Sequence, residues 1–140
     1  LACQNGVWAV DCSNHGGRQL DHRRGSAEVL PEIVEAVAGR AKVAVDGSFS
    51  RGSDIVKAIC MGAEWVGLGR LYCYGLAAAG AAGIERVIEL LEAEMKEVMG
   101  LLGVTSLAQL DKSYIARSMP TNLTGVHSAF PLLNLQDEGY

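Results

Sequence analysis

A histidine and an arginine three residues apart, His15 and Arg18, share one polar loop with Gly16 and Gly17 between them, and those glycines let the backbone come close to a ligand. Imidazole exchanges a proton near neutral pH, and a guanidinium holds a planar carboxylate through two parallel hydrogen bonds. That pairing suits a substrate whose acid group lies beside the reacting carbon, with His15 as base and Arg18 as carboxylate clamp. For an isolated pair, a turn-capping histidine and a solvated arginine are the commoner reading. Two further loops combine glycine with arginine: VDGSFSRGSD at 45–54, holding Asp46, Gly47, Ser48, Ser50 and Arg51, and GLGRLYCYG at 67–75, holding Gly69 and Arg70. Backbone N–H groups and the dipole at a following helix attract phosphate at such places. Each motif taken singly is weak, since a turn glycine beside an exposed arginine is common.

The elements that must position these loops alternate regularly. Apolar, β-branched runs predict strands at 7–12, 41–45 and 64–68. Between them, helices are predicted at 31–38, with Pro31 in the first turn and Gly39 at the stop, and at 53–62, with Ser53 as N-cap. A longer helix is predicted at 82–102, where Ile84, Val87, Ile88, Leu91, Met95, Val98 and Leu102 mark one face. Short apolar strands alternating with helices require a parallel sheet covered by helices, so the class is α/β. Periodicity alone leaves open a doubly wound sheet and a segment of a barrel. Trp8 and Trp65 are expected to pack between strand and helix layers, and Tyr72 and Tyr74 to sit at the edge of the core or at a ligand mouth. Asp11 is unusual inside an apolar strand and receives no catalytic role. Residues 1–106 form the βα units, and 107–140 read as an extended or partly helical tail.

Composition narrows the function classes. The chain has 140 residues, 49% hydrophobic, with a net charge of −4, so it can bury a core and lacks the basic excess of a nucleic-acid binder. Cys3, Cys12, Cys60 and Cys73 show neither metal-ligand nor disulfide-framework spacing, so no metal is expected and a reducing cytoplasm is the simplest location. No apolar run reaches the roughly 18 residues of a membrane span. The chain opens on Leu1 and reads as starting inside a fold.

The nine-residue string SNHGGRQLD, residues 13–21, outweighs the bland reading of His15 and Arg18. It resembles the signature of the FMN-dependent 2-hydroxy-acid oxidases and dehydrogenases, the family of glycolate oxidase, lactate oxidase and mandelate dehydrogenase. The resemblance implies that His15 is the active-site base, that Arg18 binds the substrate carboxylate, and that FMN is held by Asp46, Gly47, Ser48, Ser50, Arg51, Gly69 and Arg70. It covers the chain from residue 1 to about 114 and implies the last three βα units of a (β/α)8 TIM barrel. The family pattern DGGxRRG is departed from here: Ser48 stands at the second glycine and Ser50 at the first arginine, leaving Arg51 to supply the charge. Arg51 and Arg70 are expected to converge on one phosphate position. His22, Arg23 and Arg24 replace a usual glycine-led turn and read as a solvated loop.

A whole barrel takes about 250 residues. The remaining barrel half is therefore expected from the same or another chain, a homo-oligomer is expected, and the family implies a small 2-hydroxy acid as substrate. Two other readings stay open, a non-catalytic piece of a split flavin barrel and a different phosphate-binding barrel.

Overall fold

In the computed structural model, which describes residues 1–18 and 24–117, three strands form one parallel sheet in the order β1 (Ala9–Cys12), β2 (Lys42–Val45), β3 (Trp65–Val66). The register pairs Cys12 with Val45 and Val45 with Val66, so the three strands end level. All three expected strands are present, each shorter than its apolar run. Between and after them come α1 (Ser26–Val37), α2 (Gly52–Cys60) and α3 (Arg70–Leu102).

Alternation along the strands separates two faces. Cys12, Val43 and Val45 point toward the helices and are buried together with Leu30, Val37, Phe49, Ala58 and Ala63. Residues of the opposite parity, Asp11 and Lys42, are exposed, as is Trp65, which shares their face through its pairing with Ala44. This second face carries no helix among the described residues. It also corrects the placement of the two tryptophans: Trp8 is 71% and Trp65 43% exposed, and their rings meet at 4.9 Å, tilted by 36°. With no described helix on that face, the indoles pack on each other instead of entering a layer. Beside them Lys42 and Glu64 form an ion pair at 2.5 Å.

The helices also differ from the expectation in ways that bear on the loops. The first begins five residues earlier than expected, which puts Pro31 at its sixth position and leaves the Ala27 carbonyl without its helical donor. Arg51, not Ser53, is the N-cap of α2, and the Asp54 carboxylate accepts from the Ser50 and Arg51 N–H groups at 3.3 and 3.1 Å. The largest difference is in α3, which starts at Arg70 and takes up residues expected to be loop. It breaks at Ala79 and Gly80, whose φ/ψ values of −153/27° and 60/−140° are not helical. The two pieces fold against each other where Gly75 and Gly83 touch; a Cβ on Gly83 would overlap the Gly75 carbonyl. Gly103, with φ +72°, ends the helix.

A second apolar cluster joins α2, α3 and the segment beyond. Val56 and Cys60 pack with Val104 and Leu110, flanked by Met95, Val98 and Ile115. The start of the expected tail is thereby docked, in two short 3-10 turns at Leu107–Gln109 and Lys112–Tyr114. Residues 118–140, and with them most of that tail, lie outside the described residues, as do 19–23, which include His22 and Arg23.

Close backbone approach fixes α2 against α3. A Cβ on Gly52 would lie 2.6 Å from the Leu91 carbonyl oxygen and from the Met95 nitrogen, neither of which can move without distorting α3. Gly52→Ala is expected to destabilise the full-length protein by about 1–3 kcal/mol in denaturant titrations, the usual cost of overpacking. Gly100→Ala, where nothing lies within 4 Å of the added carbon, should instead stabilise by about 0.5–1 kcal/mol, because glycine in a helix loses more backbone entropy on folding.

Candidate functional site

Three loops leave the carboxy ends of the three strands, and the level ends of the sheet bring them to one place. A pocket of about 670 Å³ opens there, within the usual range for small-molecule sites. From the first loop it is lined by His15, Gly16 and Arg18; from the second by Asp46, Gly47, Ser48, Phe49 and Ser50; from the third by Gly69 and Arg70 and then Leu71, Tyr72, Cys73 and Tyr74. Eight of the nine residues singled out from the sequence therefore share one cavity. Arg51 is the ninth and does not line it.

The first loop is a tight one. His15–Gly17 form a 3-10 turn, with the His15 N–H donating to Ser13 Oγ at 3.1 Å. His15 itself has φ +54°, and Gly16 and Gly17 have φ +64° and +75°. Left-handed backbone at a residue with a Cβ costs on the order of 1 kcal/mol or more and concentrates at functional positions. The His15 and Arg18 side chains are both exposed on the pocket side.

The second loop is anchored from below and from the side. Phe49 is buried in the core, so it acts as the peg that holds residues 46–51 down on the sheet. Gly47, with φ +113°, lies so close to Ser26 that the serine hydroxyl takes the place of a Cβ, and that hydroxyl donates to the Asp46 carbonyl. Ser48 has φ +61° and keeps its side chain at the pocket. Two buried acceptors here, Asn14 Oδ1 and Asp46 Oδ1, have no donor among the described residues. Across the sheet, the Asp11 carboxyl is pushed above its ordinary range, by desolvation first and by the Asp46 carboxylate second.

Arg70 links the third loop to the second and lies beside the first. Its Nη2 donates to Ser48 Oγ at 2.8 Å, and the same nitrogen would lie 3.5 Å from a Cβ on Gly16. Arg51 behaves differently. Its Nε donates to Glu94 Oε1 at 2.8 Å while Glu94 Oε2 accepts from the Gly52 N–H at 2.6 Å. The expected convergence of Arg51 and Arg70 on one anion position is thus not found: one arginine faces the pocket, and the other is paired with a carboxylate from α3. The amino end of α2, expected as a phosphate position, is occupied by the carboxylates of Asp54 and Glu94.

Sequence reasoning had no route to that pairing, since Arg51 and Glu94 lie 43 positions apart. Nor did it assign roles to Phe49 or Leu71. The aromatic at 49 among small polar residues was the available signal for an anchored loop. No group of three or more His, Cys, Asp or Glu side chains is placed to hold a metal among the described residues, and the four cysteines are free. No described helix is long and apolar enough to cross a membrane.

A parallel α/β unit that gathers a histidine, arginines and tight glycine turns beyond the carboxy ends of its strands has the ligand-binding face of its class. The family model for FMN-dependent dehydrogenases matches residues 1–117. Among curated proteins, an L-lactate oxidase of Nostoc sp. is 46% identical over 114 residues, 81% of this chain and 31% of the relative. The peroxisomal (S)-2-hydroxy-acid oxidase of Oryza sativa subsp. japonica is 44% identical over the same length, again 81% and 31%. Among solved structures, mandelate oxidase with benzoyl-formic acid superposes with a TM-score of 0.74 at 44% identity, over 76% of this chain and 32% of that one. A mandelate oxidase variant with a monooxide FMN adduct gives the same TM-score and identity. The chain belongs to the FMN-dependent dehydrogenase family, and it spans about a third of the length of the curated relatives it matches.

The Glu94 arrangement carries a pH signature. The Arg51 hydrogen bond first, and the Gly52 N–H second, hold the Glu94 carboxyl below its ordinary range. A group with a lowered folded pKa stabilises above its unfolded pKa and loses that contribution as pH falls through the folded value. Glu94→Gln in the full-length protein should therefore melt below the parent at neutral pH. The gap should close as pH falls below about 4, under the ordinary glutamate range; a gap that stays constant from pH ~7 to ~3 would show that the charge of Glu94 does not matter.

Proposed function

We propose that this chain is the carboxy-terminal part of an FMN-dependent (β/α)8-barrel oxidoreductase that converts a small (S)-2-hydroxy acid to the 2-oxo acid. The observation that carries the reading is the meeting of His15, Arg18 and Arg70 in one pocket, in a chain whose first 117 residues match the FMN-dependent dehydrogenase family. The bare sheet face, with its exposed tryptophans, is the inner wall of the barrel in this reading, and the rest of the polypeptide or another chain covers it.

The pocket suits FMN chemically. Arg70 offers a cation for the phosphate, and the amino end of α3 beside Gly69 offers N–H groups that no earlier turn engages. Asp46 Oδ1, buried and without a described donor, suits the hydroxyl donors of the ribityl chain. Gly47, Ser48, Ser50 and Gly69 complete this end.

Bound FMN would supply the acceptor for the two electrons and for one of the two protons that leave the substrate. Oxidation breaks the C–H and O–H bonds at the hydroxyl-bearing carbon and makes a C=O bond, so two electrons and two protons leave, and the proton that does not go with the electrons must go to a base. His15 takes that proton in the pocket. Arg18, three residues on, holds the carboxylate through two hydrogen bonds and so fixes the reacting carbon beside the imidazole. Tyr72 and Tyr74 line the pocket beside them.

His15→Gln in the complete enzyme is expected to keep flavin bound while losing turnover by at least a hundredfold, since it removes the base and not a cofactor contact. Arg18→Lys keeps the charge and loses the two-pronged geometry, so kcat/KM should fall roughly ten- to hundredfold. Steady-state assays on a panel of small hydroxy acids, run beside the flavin spectrum of each variant, measure both. Wild-type turnover in the His15 variant would overturn the mechanism.

A further inference from the structure

The proposed flavin reading leaves open how this chain balances phosphate charge after its departures at positions 48 and 50. Of the two arginines expected there, one has already been committed elsewhere. Glu94 takes Arg51 Nε at 2.8 Å and the neighbouring Gly52 N–H at 2.6 Å, and Gly52 is locked between Leu91 and Met95 with no space for a Cβ. Turning Arg51 into the pocket would leave Glu94 without its strongest partner.

Ser48 meanwhile holds a backbone conformation that a residue with a Cβ adopts at a cost. Its φ is +61°, in the left-handed region where glycine is free of strain. A glycine there would be the easier residue for the turn, so the side chain calls for an explanation of its own. Among the described residues, that hydroxyl's side-chain partner is Arg70, at 2.8 Å, in the lining of the pocket. The guanidinium is thereby held at Ser48, and its Nη2 lies near Gly16, 3.5 Å from where an added Cβ would stand. An arginine held in this way loses less rotamer freedom when an anion arrives than one that swings in solvent.

We propose that Ser48 is a positioning residue for Arg70, and that Arg70 held by Ser48, without Arg51, matches the phosphate of the flavin in this protein. This inference rests on the FMN reading above and goes beyond it in dividing the work among the loop residues. Arg51 belongs to the α2–α3 contact. Ser50, which lines the pocket without a cation, adds a hydroxyl and no charge.

The phosphate is the only group that distinguishes FMN from riboflavin, so the ratio of their dissociation constants isolates it from every other flavin contact. Apoprotein of the full-length enzyme is titrated with each flavin by fluorescence, and thermal melts are recorded in parallel. Arg70→Met should lower the preference for FMN by roughly a hundredfold, the scale of a lost charged hydrogen bond. Ser48→Gly should raise the melting temperature by a few degrees, because the left-handed strain is relieved, and yet lower the FMN preference by roughly three- to tenfold. A merely structural serine would not move the two readouts in opposite directions. Arg51→Met should lower the melting temperature and leave the preference within about twofold of the parent. Loss of FMN preference in the Arg51 variant equal to that in the Arg70 variant, or an unchanged preference in Ser48→Gly, overturns the inference while leaving the flavin reading in place. A parent protein that binds neither flavin overturns both.

Discussion

Everything at the site depends on the parallel, in-register pairing of three short strands. Because Cys12, Val45 and Val66 stand side by side, the chain leaves the sheet three times at the same level and on the same side. Parallel strands need a crossover between them, and the crossovers here are helices. The loops that follow the strands therefore face one another, and a histidine at 15, a serine at 48 and an arginine at 70 come within one cavity despite their distance in sequence. A slip of one residue in β2 would turn Val43 and Val45 away from the helices and carry the second loop out of line with the others.

The loops themselves are held by contacts that admit no slack. Gly47 lies against Ser26, Gly52 against the backbone of α3, and Gly75 against Gly83. Phe49 pins the second loop to the core. A rigid frame of this kind can sustain left-handed backbone at His15 and Ser48, which an unsupported loop would relax. The frame also divides the charges: Glu94 secures Arg51 at the α2–α3 contact, and Ser48 secures Arg70 over the pocket.

Much of this was legible in the sequence, for definite reasons. The apolar runs at 41–45 and 7–12 declared buried strands, and the Asp46-Gly47 pair declared the turn where the chain leaves β2. Periodic apolar positions from Ile84 to Leu102 declared the second half of α3. Its first half stayed hidden because 67–81 is rich in glycine, alanine and aromatics, with no apolar stripe to read, and it is this half that brings Tyr72 and Tyr74 to the pocket. Arg51 was misplaced for a different cause: its partner Glu94 arrives from another helix, and nothing local announces an ion pair across 43 positions. The tryptophans were assigned to the layer between strands and helices on the rule that large aromatics are buried, but Trp65 lies on the sheet face that no described helix covers, and Trp8, just before β1, packs against it in the open. That rule needs both faces of a sheet covered, and this chain spans about a third of its relatives.

The central claim is that the three loops form one redox site in which substrate and flavin meet. Rapid anaerobic mixing of the flavin-loaded, full-length protein with (S)- and (R)-forms of small 2-hydroxy acids tests it most directly. The account predicts that the yellow flavin absorption bleaches in a single phase with an (S)-acid, in proportion to the bound flavin, and persists with the (R)-form. Flavin that stays bound and oxidised in the presence of every hydroxy acid tried would contradict it.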